Sequence, residues 1–394
     1  MLKEKNILLI ISGGIAAYKA AELARLLVKR GASIQVIMTK NACEFITPLT
    51  FDTLTGHRTI TDLFDRNHPV TTEHIALADW ADILIAAPAS ANLIAKFSWG
   101  LADDMASTTA LAFNKKKIVA PAMNDKMWAN PATQENIARL KKYGWEIIGP
   151  GSGDLACGTA GKGRMSEPED IVSGILGVLS KKDLLNKKIL VSAGPTREAL
   201  DPVRFLSNHS TGKQGYAVAK AAAMRGAKVT LVSGPTELAD PMNMRVIHVN
   251  TAREMFASIR AISESQDVII MSAAVADYRP KEVSIDKIKK KDADLSLALE
   301  RTDDILEYLG EHKPAGQILV GFSMETADLI YNSRKKLEAK KLDLIAANNV
   351  KVEGAGFGGE TNVLTLISRK EEVHLPLLSK EEAANRLLDN ILKL

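Results

Sequence analysis

After a charged tip, the chain enters a continuous apolar run, Asn6 to Ile11, that stops at Ser12-Gly13-Gly14. Apolar positions recur at helical spacing from Tyr18 to Lys29, and Ser33 to Met38 reads as a second strand. Strand, glycine turn, helix and strand in that order predict a βαβ opening. The pattern begins afresh at Lys188, where Ile189 to Ala193 runs into Gly194-Pro195, Gly215 to Arg225 has the helical period, and Ala227 to Pro235 holds the next strand. A fold therefore starts twice. Between the two starts, Ile171 to Leu179 predicts a closing helix, and the polar break Ser180-Lys181-Lys182-Asp183 puts a domain boundary near residue 185.

Further strands are expected at Ile83 to Ala86 and Lys117 to Ala120, each followed by a proline turn at Pro88 or Pro121. In the second half they are expected at Val268 to Met271, Ile318 to Gly321 and Leu344 to Ala346, with a hairpin-like Asn362 to Ser368. Two α/β domains, 1–185 and 186–394, follow from this arrangement. Open α/β sheets bind ligands beyond the carboxyl ends of their strands, so the chemistry is sought in those loops.

Composition narrows the classes of partner. With 46% hydrophobic and 25% charged residues the chain is ordinary globular protein. Its formal charge of +4 is small, and its basic residues lack interleaved aromatics, which argues against nucleic acid and favours anionic small molecules. No apolar stretch approaches the ~20 residues of a membrane span, and the N-terminus has no cleavage signal, so a cytoplasmic protein is expected. Two cysteines, Cys43 and Cys157, are too few for a disulfide framework, and no Cys/His spacing resembles a zinc site.

Ser12-Gly13-Gly14 lies between strand and helix, where missing Cβ atoms let an anion approach backbone N–H groups at a helix N-terminus. The spacing is not the dinucleotide fingerprint, and small residues there serve equally to make the turn. Thr39, Ser90, Ser107 and Thr108 put further hydroxyls near strand or helix ends. His74 can exchange a proton near neutral pH, although beside Ile75 and Leu77 it also reads as an ordinary helix residue. Asn124 offers an amide that holds a carboxylate without ionising, or simply makes a turn. Cys157 sits in the glycine-rich stretch Gly149 to Gly163, whose composition suits a mobile flap. Cys43 is read as structural, and His57 and His68 receive no role.

Pro121 to Trp128, PAMNDKMW, and Ala156 to Met165, ACGTAGKGRM, are more specific. Together with SGGIAAYK at the start and His74 in TTEHIALADWAD, they resemble the flavin-dependent cysteine decarboxylases, specifically phosphopantothenoylcysteine decarboxylase. The resemblance implies a flavoprotein-type Rossmann-like parallel sheet that binds FMN through Ser12, Gly13, Gly14, Thr39, Ser90, Ser107 and Thr108. It also implies oxidation of the substrate's cysteine moiety to a thioaldehyde, loss of carbon dioxide as an enethiolate, and reduction. His74 takes the substrate proton, Asn124 holds the carboxylate and Cys157 protonates the intermediate. Because the family's flavin sites form between subunits, a homo-oligomer is expected.

In the second half, Ala193 to Glu198, Asp201 to Gly212, Ala273 to Tyr278 and Lys287 to Lys290 resemble phosphopantothenate–cysteine ligase of the CTP-using bacterial type, with similarity extending to Asn348. The fold implied is a Rossmann-like nucleotide-binding α/β domain. CTP activates the carboxylate of 4′-phosphopantothenate as an acyl-cytidylate, pyrophosphate leaves, and cysteine displaces CMP to give 4′-phosphopantothenoylcysteine. Carboxylate attack on a triphosphate gathers anions, so cations and Mg²⁺ are expected. The implied phosphate contacts are Lys287, Lys336 and Lys340, with Asn208 on the acyl-cytidylate. Met271, Ser272, Ala273, Asp277 and Phe322 contact the nucleotide, and Asp303, Asp304, Ile305 and Leu306 form the cytosine turn. That turn departs from the bacterial Asn-Pro-Asp-Ile pattern by lacking its proline. The lysine runs read alone as solvated faces. Three rivals remain at this stage: a flavin-binding electron carrier fused to a nucleotide-binding domain, a scaffold whose glycine loops are merely turns, and a bifunctional chain in which one half has decayed.

Overall fold

The computed structural model describes residues 2–64, 72–154, 160–242, 244–289, 296–325, 328–349 and 358–394. Its backbone divides into two compact units, Met1–Ser180 and Lys181–Leu394. The polar break at Ser180 to Asp183 marks the division, and the residues just after it belong to the second unit. Leu184 is buried in that unit's core, and Asp183 accepts from Arg225 Nε at 2.8 Å.

The first unit is built on a five-stranded parallel sheet in the spatial order Ser33–Met38, Asn6–Ile11, Ile83–Ala89, Lys116–Pro121, Trp145–Ile147. Helices cover both faces, so the central strands have no polar side: Ile7 to Ile11 and Ile83 to Ala87 are wholly buried. The order reverses direction between Asn6–Ile11 and Ile83–Ala89, which opens a crevice beyond their carboxyl ends.

The second unit carries an eight-stranded sheet in the order Arg245–His248, Lys228–Ser233, Lys188–Ala193, Val268–Met271, Ile318–Glu325, Leu344–Asn349, Leu364–Ser368, Glu372–His374. The first six are parallel in the doubly wound order, with the reversal between Lys188–Ala193 and Val268–Met271. The last two are antiparallel. Thus Asn362 to Ser368 is not itself a hairpin. Thr361–Asn362 pairs with Leu378–Ser379, whereas Leu364–Ser368 turns through Arg369 and Lys370 to pair with Glu372–His374.

Within the glycine-rich stretch, Gly151–Asp154 and Ala160–Arg164 form an antiparallel ribbon. Its glycines permit close packing: a Cβ on Gly163 would lie 2.2 Å from the Met123 carbonyl oxygen, and one on Gly161 would lie 2.8 Å from Asp125 Cβ. At its root, Arg164 and the buried Lys19 both bind Glu167, at 3.0 and 2.8 Å. Cys157 lies outside the described residues, as do His68 and Lys290.

Candidate functional sites

In the first unit, three loops converge at the switch point. Ser12 Oγ donates to the Pro88 carbonyl at 2.8 Å and accepts from Ser90 N–H at 2.8 Å, which ties the first-strand loop to the third. Thr39 N–H donates to the Ile11 carbonyl at 3.0 Å, which adds the second-strand loop. Gly13 is required there, because a Cβ would fall 2.5 Å from Asn41 Cβ; at Gly14 a Cβ would meet nothing within 4 Å. The loop is thus packed against Asn41 at Gly13 and open beside Gly14.

The hydroxyls divide by role. Ser12 is 2% exposed and has both its hydrogen-bonding directions used within the protein. Ser107 is committed too, through a capping box with Asp104 at the start of the helix Met105–Ala112. Their contribution is to hold the loop and helix in shape. Thr39 and Ser90 cap the helices that follow them by accepting from Ala42 and Leu93 N–H, and their hydroxyl protons remain available to a ligand. Thr108 Oγ1 is buried with no hydrogen-bond partner. An orphaned buried hydroxyl costs ~1–3 kcal/mol, so its persistence points to a ligand that completes it.

His74 is half-buried in the first turn of the helix Glu73–Trp80, which packs on the helix of Ser107 and Thr108. Asn124 caps the short helix Asp125–Ala129, its Oδ1 accepting from Lys126 N–H at 2.9 Å. Met123 N–H donates to the Gly163 carbonyl at 3.0 Å, so the loop of Asn124 and the glycine ribbon lie together. His57 is accounted for structurally, with Nδ1 3.0 Å from the Ile34 carbonyl oxygen.

In the second unit a cavity of about 1240 Å³ opens at the switch point. Met271, Ser272, Ala273 and Asp277 line it from the loop after the Val268–Met271 strand. Asp303, Asp304, Ile305 and Leu306 line it from a helix start, and Phe322, Lys336 and Lys340 from the neighbouring strand and helix. Asn208 joins them, with its Nδ2 donating to the Ala274 carbonyl at 2.9 Å. Lys287 does not: it is exposed and outside the described lining. Its segment is nevertheless pinned. Asp201 accepts from Ile288 N–H at 3.1 Å and from the Arg204 guanidinium, and Arg204 donates to the Ile288 carbonyl at 2.7 Å. That guanidinium, against the desolvation of the site, holds the Asp201 carboxyl far below its ordinary range.

Lys340 Nζ lies 2.7 Å from Asp304 and 3.3 Å from Glu307, and Lys336 Nζ donates to the Phe322 carbonyl at 3.1 Å. Burial works to raise the Asp304 carboxyl, but Lys340, the Glu307 N–H and Lys336 outweigh it and hold it below the usual value. Burial likewise opposes the Lys340 ammonium, while Asp304 and Glu307 raise it above its usual pKa. Sequence reasoning missed Lys213, Gln214, Asn362 and Lys380, which also line this cavity. Lys213 had a visible signal, since it directly follows Gly212 at a helix start. Among the described residues no group of three or more His, Cys, Asp or Glu could hold a metal, and no helix is long and apolar enough to cross a membrane.

Comparison with known proteins agrees with this division. Residues 1–180 match the Flavoprotein family, and residues 184–394 match the DNA/pantothenate metabolism flavoprotein C-terminal domain. Fold and sites together thus define a two-domain α/β flavoprotein with a nucleotide-type second sheet. The coenzyme A biosynthesis bifunctional protein CoaBC of Bacillus subtilis (strain 168) is 47% identical over 396 residues, covering 99% of this chain and 97% of its own. That of Escherichia coli (strain K12) is 44% identical over 394 residues, covering 99% and 97%. A crystal structure of a CoaBC C-terminal domain is 42% identical over 53% of this chain and 95% of its own, with a TM-score of 0.46. The chain belongs to the family of CoaBC bifunctional proteins.

Proposed function

We infer that the two units catalyse consecutive steps of coenzyme A biosynthesis: the second ligates cysteine to 4′-phosphopantothenate with CTP, and the first decarboxylates the product with FMN. Full-length similarity to bifunctional relatives supports both activities. The observation that carries the ligase reading is the cavity, whose lining gathers Asn208, Asp277, Phe322, Lys336 and Lys340 from segments far apart in sequence. Asn208 orients the acyl group, Phe322 and the Asp303 to Leu306 turn receive the base, and Lys336 and Lys340 neutralise the triphosphate. Lys287 reaches in from its pinned segment when substrate is present. Mg²⁺ fits as an ion carried by the triphosphate, since it is commonly held by substrate phosphates, waters and one or two carboxylates rather than by a protein cage.

In the first unit, the Gly13-Gly14 backbone and the hydroxyls of Thr39, Ser90 and Thr108 would hold FMN, with Ser12 and Ser107 shaping the loops. When bound, FMN supplies a reversible two-electron acceptor. His74 accepts the substrate proton, Asn124 holds the carboxylate that departs, and Cys157 returns a proton as the product is reduced. Active sites are shared between subunits of a homo-oligomer in this reading. A flavin-binding electron carrier fused to a nucleotide-binding domain would need no His74, Asn124 or Cys157. The test is pyrophosphate release from CTP that requires 4′-phosphopantothenate; release without it, or none at all, would sink the ligase reading.

A further inference from the structure

The cavity of the second unit holds a second cationic pair, on the other face of the sheet from Lys336 and Lys340. Lys213 and Lys380 are the first residues of the helices Lys213–Met224 and Lys380–Ile391, which pack together against one face. The helix Leu329–Ala339, which carries Lys336, buries Leu337 in the core on the opposite face. Both pairs line the same cavity, so its cations reach across the strand ends from two sides.

The new pair has the marks of a built site. Lys380 is 6% exposed, and its Nζ donates to the Gly359 carbonyl at 2.5 Å. Lys213 Nζ donates to the Gly358 carbonyl at 3.1 Å and pairs with the Glu360 carboxylate. Burial pushes the Lys380 ammonium below its ordinary pKa, the Lys213 charge adds to that, and Glu360 opposes both. Among the described residues, the carboxylate beside the two ammonium groups is that of Glu360, whose side chain is 81% exposed and leaves for water at little cost. With Glu360 displaced, two ammoniums match one dianion. Two amides, Gln214 and Asn362, bonded to each other at 3.0 Å, line the cavity beside them.

We propose that Lys213 and Lys380 form a phosphate-monoester subsite that receives the phosphate of the acyl substrate, whose carboxylate is held at Asn208 toward the nucleotide lysines. This rests on the ligase reading for the identity of the ligand. The substrate is anionic at both ends, and the cavity presents a cationic pair for the phosphate of each reactant.

The test is calorimetric titration of the full chain with 4′-phosphopantothenate and, separately, with pantothenate lacking the phosphate. Lys213→Gln and Lys380→Gln should each weaken 4′-phosphopantothenate about 10- to 100-fold, the loss of one charged hydrogen bond. Both should leave pantothenate binding and the KM for CTP unchanged. Lys213→Arg should restore most of the affinity, and because Lys213 is the more accessible residue, its variants stand if Lys380→Gln fails to fold. Unchanged binding of 4′-phosphopantothenate, or equal weakening of both ligands, overturns the subsite. Phosphate-selective binding by a wild-type chain that releases no pyrophosphate from CTP would remove the ligase reading while upholding the pair as a phosphate site.

Discussion

Replacing Lys340 by Gln separates what this residue does for the fold from what it does for the nucleotide. In the free protein its ammonium is held by Asp304 and Glu307, whose side chains are 45% and 53% exposed. Ion pairs so open to solvent contribute at most ~1 kcal/mol. The helix cap survives the change, because Asp304 Oδ1 still accepts from Glu307 N–H at 2.9 Å. The second unit should therefore lose no more than about 2–4 °C in Tm. A charge-assisted bond to a phosphate is worth more, ~1.5–3 kcal/mol, which corresponds to roughly a 10- to 150-fold rise in the KM for CTP. Pyrophosphate release measured against CTP concentration, with 4′-phosphopantothenate saturating, reads this directly. A well-folded Lys340→Gln enzyme with unchanged KM for CTP would refute the assignment of the cavity to the triphosphate.

Further outcomes follow from the same geometry. Gly163→Ala puts a Cβ 2.2 Å from the Met123 carbonyl oxygen, so carbon dioxide release should fall at least tenfold while pyrophosphate release is retained; equal decarboxylation would show the ribbon to be irrelevant. The Asp201 carboxyl is depressed in the folded state, so the stability it supplies is complete above its unfolded value of about 3.9 and is lost as pH falls through the lower folded value. The difference in unfolding free energy between wild type and Asp201→Asn should accordingly be flat from pH 5 to 8 and shrink below pH 4; a step near pH 6 would contradict this. Cys157→Ser should release carbon dioxide yet accumulate reduced flavin, read as bleaching of visible absorbance, whereas His74→Asn should do neither and keep its ligase activity.

What was legible in the sequence follows from how each signal arises. Asn6–Ile11 and Val268–Met271 have the expected bounds, because central strands covered on both faces are apolar and end where the apolar run ends; Ser33–Met38, at the sheet edge, also has its expected bounds, with Ser33 and Gln35 half-buried. Ile318–Glu325 runs four residues past Gly321 because the backbone of Phe322 to Glu325 still pairs with Ala346 to Asn349, a partnership that local composition does not report. The glycine ribbon was unreadable as strand, since glycine has poor strand propensity and is retained here for its close approach to Met123 and Asp125. That the Ser12 hydroxyl is used up within the protein was not legible, because its partners Pro88 and Ser90 lie more than seventy residues away. Lys213 and Lys380 went unnoticed for the same reason: only the packing of two helices 167 positions apart makes a pair of them.

The most direct test of the account is a visible spectrum of the purified full chain, followed by anaerobic addition of 4′-phosphopantothenoylcysteine with detection of carbon dioxide. The account predicts a bound flavin and substrate-dependent carbon dioxide release that is lost in His74→Asn. A chain that takes up no FMN on reconstitution, or that binds it and releases no carbon dioxide, would contradict it.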